Sequence, residues 1–166
     1  MPDIEFRYLL QGALAIALLV AAFTDIRRRQ IDNWLNLGIA VTAPLYWWAA
    51  GYSLWPDVGY QLGLAVAVFA FFAVLFALRW MGGGDVKLLT ALALWIAPQW
   101  YWKLLVVMAL VGGLLTIITG AWHIARRQRD KAAIPYGVAI SAAGLWVLAT
   151  QYSNTVTITS LATGLQ

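Results

Sequence analysis

YLLQGALAIALLVAAF, residues 8–23, followed at once by TDIRRR, residues 24–29, decides the fold. The run carries one polar side chain, Gln11, and no charge before Asp25. A membrane-spanning helix needs about 20 mostly apolar residues, with Lys and Arg gathered where it leaves the bilayer on the cytoplasmic side. A cleaved signal peptide has the reverse order, with a basic segment ahead of the apolar one. Here Asp3 and Glu5 precede the run with a single Arg7, and the basic cluster follows it. Residues 8–23 therefore read as a retained span whose N-terminus lies outside.

Working outward, apolar runs recur at about 34–50, 60–78, 86–102, 104–122 and 135–150, with a polar Thr- and Ser-rich tail at 151–166. No internal repeat and no long linker divides the 166 residues into domains. Hydrophobic types make up 63% of the chain and charged types 11%, with a mean hydropathy of +0.76, whereas soluble domains run nearer ~25% charged. That balance excludes both a soluble enzyme and a disordered chain. Six spans would use roughly 120 residues, leaving only loops and a tail. The expected fold is an all-α, polytopic integral membrane protein of six transmembrane helices in a single domain, 1–166.

Alternating sides place Arg27, Arg28, Arg29, Arg79, Lys87, Arg126, Arg127, Arg129 and Lys131 on one face and only Arg7 and Lys103 on the other. This is a strong positive-inside bias, so both termini are expected outside and the basic loops in the cytoplasm. It also explains the net charge of +4 without a nucleic-acid partner. Ten Trp and no Cys fit interfacial belts and exclude disulfides, thiolate metal sites and Cys nucleophiles. The fourth run is irregular. Residues 86–97 make about 18 Å of helix, short of the ~30 Å hydrocarbon core. Either Trp100 to Trp102 continue it, or the chain enters the membrane before Asp85.

Of seven acidic residues, Asp3, Glu5 and Asp57 fall on the outer side and Asp130 among arginines. Asp25, Asp32 and Asp85 stand at cytoplasmic helix ends. Asp25 closes the first span and Asp85 opens the fourth behind Gly82-Gly83-Gly84. One reading is structural: Asp25 pairs with Arg28 or Arg29, and Asp85 caps a helix N-terminus. The other is a dyad. Two carboxylates held close cannot both ionise easily, so the pair keeps one proton and can activate water against a peptide carbonyl. That chemistry needs no metal or cofactor. The three glycines supply a backbone of low steric demand beside Asp85.

At these residues the chain resembles the type IV prepilin peptidases. The stretch 23–36, FTDIRRRQIDNWLN, is similar to their first signature; 82–89, GGGDVKLL, is similar to their GxGD signature; and Ile134-Pro135-Tyr136-Gly137 resembles the short motif that opens their last span. The resemblance implies an inner-membrane aspartic protease with Asp25 and Asp85 as the catalytic pair. Gly82, Gly83, Gly84, Asn33 and Lys87 would belong to the substrate-binding loop region. Such enzymes remove the basic leader of prepilins or pseudopilins at the cytoplasmic face. Where the family usually has Pro before Asn, this chain has Asp32 before Asn33, which adds a local carboxylate. It lacks the Cys motifs of the long methylating members. It therefore resembles the short branch of Flp-type, tight-adherence pili, which is expected to cleave only.

Other residues have plainer readings. Lys87 is expected to snorkel to the interface, and Arg27 to Arg29 to set topology. Asn33 and Asn36 would cap the second helix or line the site. Gly112, Gly113 and Gly137 would allow close helix packing. His123 has no Cys or acidic partner at ligand spacing, so no metal site is expected. Two competing functions use the same features. One is a proton-coupled transporter titrating Asp25 and Asp85, which calls for repeats or broken midplane helices. The other is a non-catalytic pilus or secretion assembly protein on the same fold.

Overall fold

The computed structural model describes residues 4–125 and 136–164. The expected basic loop at 126–131 and the Ile134-Pro135 half of the last motif lie outside the described residues, as does the side chain of His123. The described chain is helical throughout: α1 (Ile4–Arg28), α2 (Asn33–Ala49), α3 (Gly59–Ala77), α4 (Gly83–Ala93), α5 (Pro98–Ala125) and α6 (Tyr136–Gly164). A short segment, Leu54–Val58, kinked at Trp55 (φ −140°, ψ 128°), leads into α3. Among the described residues, three helical stretches are long and apolar enough to cross a membrane: Ile4–Arg28, Leu54–Ala77 and Pro98–Trp122. The protein is an all-α membrane protein. At 17 residues α2 and at 11 residues α4 fall below the about 20 that a span needs.

The short α4 is the hub. It packs against α2, α3 and α6, while α1 packs on α2 and α6, and α5 on α6. Leu88, Leu89, Leu92 and Ala93 of α4 have no exposed surface, while its Lys87 stays exposed. Gly144 of α6 lets that helix close on the core. A Cβ there would lie 2.9 Å from Leu18 of α1 and 3.7 Å from Leu92 of α4. The outward faces are also apolar. Val66, Phe69, Phe71 and Val74 of α3, and Leu110, Leu114 and Ile117 of α5, are exposed. Such continuous bands suit lipid contact.

The fourth run departs from the expected 86–102. Its helix starts at Gly83, ahead of Asp85, and ends at Ala93; Trp100, Tyr101 and Trp102 belong to α5. Pro98 explains the break. It disfavours helix in the residue before it and lacks an N–H, yet it fits the first position of a new helix. A break inside an apolar bundle leaves carbonyls that must be paired. Trp47 Nε1 of α2 donates to the Leu94 carbonyl at 2.7 Å, and Gln61 Nε2 of α3 donates to the Ile96 carbonyl at 2.9 Å. The Tyr101 hydroxyl reaches the Leu89 carbonyl at 2.8 Å. Donors from three helices thus let α4 stop short.

Residues 151–164, expected as a polar tail, instead continue α6. No Gly or Pro interrupts 145–163. Thr150 and Ser153 turn their hydroxyls onto the carbonyls of Trp146 and Ala149, at 2.8 and 2.9 Å, which lets these polar side chains sit within a helix.

Candidate active site

The ends of α1 and α3 and the starts of α2, α4 and α6 surround a cavity of about 880 Å³. Asp25, Asp32 and Asp85 all line it, together with Arg29, Arg79 and Tyr136. Residues 60 positions apart in sequence, Asp25 and Asp85, thus share one wet space.

Two helices enter this space through a left-handed arginine. Arg29 has φ 54° and Arg79 φ 61°. After α3, Arg79 N–H bonds to the Phe76 carbonyl and Trp80 N–H to the Leu75 carbonyl, both at 2.9 Å. That is the paired closure of a Schellman ending, in which the left-handed position usually holds Gly. After α1, Arg29 N–H bonds to the Asp25 carbonyl at 2.9 Å. The basic cluster then divides: Arg29 lines the cavity, whereas Arg27 stacks over the Phe23 ring at 4.7 Å.

Asp85 sits in the first turn of α4, with Gly82 as the residue before the helix. The Gly82 N–H faces the Asp85 carboxylate. This is the reach-back half of a capping box. A Cβ on Gly82 would come within 3.0 Å of Asp85 Oδ2. The other two glycines seat the turn: a Cβ on Gly83 would meet Phe76 at 3.2 Å, and one on Gly84 would meet Ile31 at 3.3 Å. Burial pushes the Asp85 carboxyl up, the negative charge of Asp25 pushes it further, and the Gly82 N–H only partly offsets them, leaving it at about 6. Capping and a perturbed, paired carboxyl therefore coexist in one residue.

Asp25 is buried, at 6% exposure. The amides of Gly137 and Val138, at the start of α6, face its carboxyl group, and Arg29 adds a positive field. Its Oδ2 is nevertheless buried without a hydrogen bond of good geometry. Gly137, expected only as a packing residue, has a sharper role. A Cβ there would lie 2.8 Å from Asp25 Oδ2 and 2.9 Å from Cγ. Gly112, by contrast, meets only ordinary contacts at 3.6 Å or more.

Lys87 is not simply an anchor. Its Nζ donates to Asn33 Oδ1 at 2.8 Å, joining α4 to α2. One turn on, Asn36 Nδ2 donates to the Gly84 carbonyl at 3.3 Å, with Asn36 buried and its Oδ1 unpaired. Both links hold the glycine turn against the first turn of α2. Asp32 precedes α2 but makes no side-chain cap. Its carbonyl accepts from the N–H groups of Leu35 and Asn36, at 3.2 and 3.3 Å, and its side chain is left to the cavity. Among the described residues, no three His, Cys, Asp or Glu side chains gather as metal ligands.

This geometry meets an independent finding: residues 12–121, about two thirds of the chain, match the model of the type IV leader peptidase family. The chain belongs to that family. Its function is thus of the type IV leader peptidase kind, and its activity class is peptidase. No curated protein and no solved structure gives a match. The family match takes in Asp25, Asp85 and the three glycines between them in the cavity, but stops short of Tyr136 and Gly137. In this leader peptidase the wall that faces Asp25 comes from α6, beyond the matched residues.

Proposed function

We propose that this leader peptidase is an aspartic endopeptidase that removes the basic leader of Flp-type prepilins, with Asp25 and Asp85 as its catalytic pair. The observation that carries the reading is their shared cavity, in which the charge of Asp25 helps raise the Asp85 carboxyl to about 6. Such a pair holds one proton between two carboxyl groups. The ionised member takes a proton from a water whose oxygen attacks the scissile carbonyl carbon. The protonated member gives its proton to the carbonyl oxygen. The tetrahedral diol then collapses, the C–N bond breaks, and the leaving amine takes a proton from the pair. No metal or cofactor enters any step. Gly82 to Gly84 let the turn that carries Asp85 close on Phe76 and Ile31, and the Asn33–Lys87 link holds that turn against α2.

The cavity lies at the helix ends that bear Arg27 to Arg29 and Arg79, which the positive-inside bias assigns to the cytoplasm. The reading therefore includes six helices in the bacterial inner membrane, both termini outside and a cytoplasmic active site. The test is co-expression with a candidate Flp prepilin and detection of leader removal. Asp25→Asn and Asp85→Asn should each abolish processing while the protein still inserts. Processing that survives both changes removes the dyad; a pH-driven flux without cleavage would favour a transporter.

A further inference from the structure

The other end of the bundle holds a second polar cavity, of about 280 Å³, between the starts of α1 and α5 and the later parts of α2 and α6. Arg7 is the only charged residue among the described residues that line it. The 18 helical steps of α1 from Arg7 to Asp25 put roughly 27 Å of helix between the two cavities. None of the chemistry assigned above uses this one.

Arg7 is half-buried. Its Nε is buried without a hydrogen-bond partner, and Nη2 makes a long contact with the Tyr8 hydroxyl, 3.3 Å. The guanidinium lies close enough to Tyr46 and Tyr52 for its charge to act on both hydroxyls. Gln11 and Gln99 add amide groups to the lining, and Gln11 Nε2 stands 3.5 Å from the Tyr46 hydroxyl. The walls are rigid. Tyr46 stacks on Trp95 at 4.9 Å, and Tyr8 meets Tyr152 edge-on at 5.3 Å. α5 opens here with no acidic residue in its first turn, so its amide end adds positive potential.

A half-buried cation in a cavity lined by neutral hydroxyl and amide groups is matched by an anion with several acceptor oxygens. Phosphate offers them in the geometry a guanidinium binds with two hydrogen bonds. The location supplies the source. Lys103 lies over the Trp100 ring at 4.1 Å beside the cavity, and Trp48 and Trp55 are exposed near the same helix ends. Such aromatic residues sit at headgroup depth. We propose that this cavity binds a phosphate group through Arg7, presented by the headgroup of an anionic phospholipid in the leaflet away from the aspartates.

The test is native mass spectrometry of the full chain in detergent, with phosphatidylglycerol or diacylglycerol of matched acyl chains added. The wild-type protein should retain one phosphatidylglycerol and no diacylglycerol. Loss of a charged hydrogen-bonding group typically weakens binding about tenfold or more, so Arg7→Gln should cut retention by that factor, with Arg7→Lys intermediate. Equal retention of the two lipids by wild type would overturn the proposal without reference to any variant. So would undiminished retention by folded Arg7→Gln. Displacement of phosphatidylglycerol by millimolar inorganic phosphate would support the phosphate chemistry and overturn the lipid as its source.

Discussion

Gly137→Ala tests how the site is built more sharply than removing either aspartate. The added methyl would lie 2.8 Å from Asp25 Oδ2, 2.9 Å from Cγ and 2.8 Å from Ile31 Cδ1, where ordinary contact begins at 3.4 Å. All three atoms are side-chain ends, so the backbone can stay and the carboxyl must retreat by roughly 0.6 Å or more. Overpacking costs about 1–3 kcal/mol, while Gly to Ala within a helix gains about 1 kcal/mol. The net change in stability is therefore about 0–2 kcal/mol, and the fold survives. Activity is more exposed, because a 1 Å misplacement of a reacting group can cost ~100-fold. Leader cleavage, followed with purified protein and a prepilin peptide, should slow about 10- to 100-fold, with the thermal midpoint lowered by at most roughly 4–8 °C. Gly112→Ala, whose methyl meets nothing closer than 3.6 Å, is the control and should cleave at the wild-type rate. Wild-type cleavage by Gly137→Ala would refute the reasoning, since Asp25 would then not depend on the space that α6 leaves it.

The remaining predictions concern Asp85 and its support. Because the folded-state value of Asp85 is raised from 3.8 to about 6, protonation favours the folded protein; that contribution is complete below about pH 4 and is lost as pH rises through about 6. At ~1.4 kcal/mol per pH unit the effect is on the order of 3 kcal/mol, less what solvent reaching this part-exposed group screens. Asp85→Asn should therefore melt above wild type at pH 8 and level with it at pH 4; a gap that widens toward low pH would contradict the assigned sign. For the Lys87–Asn33 link, a double-mutant cycle with Lys87→Met and Asn33→Leu should give a coupling of about 0.5–1.5 kcal/mol in thermal unfolding. Both single variants should cleave more slowly than wild type, and additive losses would show that the 2.8 Å contact does not act as a unit.

The membrane class and the helical content were legible from composition and run length, because lipid requires every backbone group of a span to be paired within the helix. The first two signatures likewise marked Asp25 and Asp85, since short motifs keep their residues together whatever the fold does. The break at residues 94–97 was only half legible. Pro98 announces it, but stopping α4 inside the bundle depends on Trp47, Gln61 and Tyr101, donors on three other helices. Nor could spacing tell capping from pairing at Asp85, because one carboxylate faces the Gly82 N–H and feels Asp25 at once.

The sequence by itself determined an apolar helical chain with acids at helix ends, since hydropathy and helix signals are local properties. Only the tertiary structure decided that α6 presses Gly137 against Asp25, that Lys87 holds Asn33 and that Asp32 opens into the same cavity. Those relations join residues dozens to more than a hundred positions apart, and they follow from how the helices pack in space.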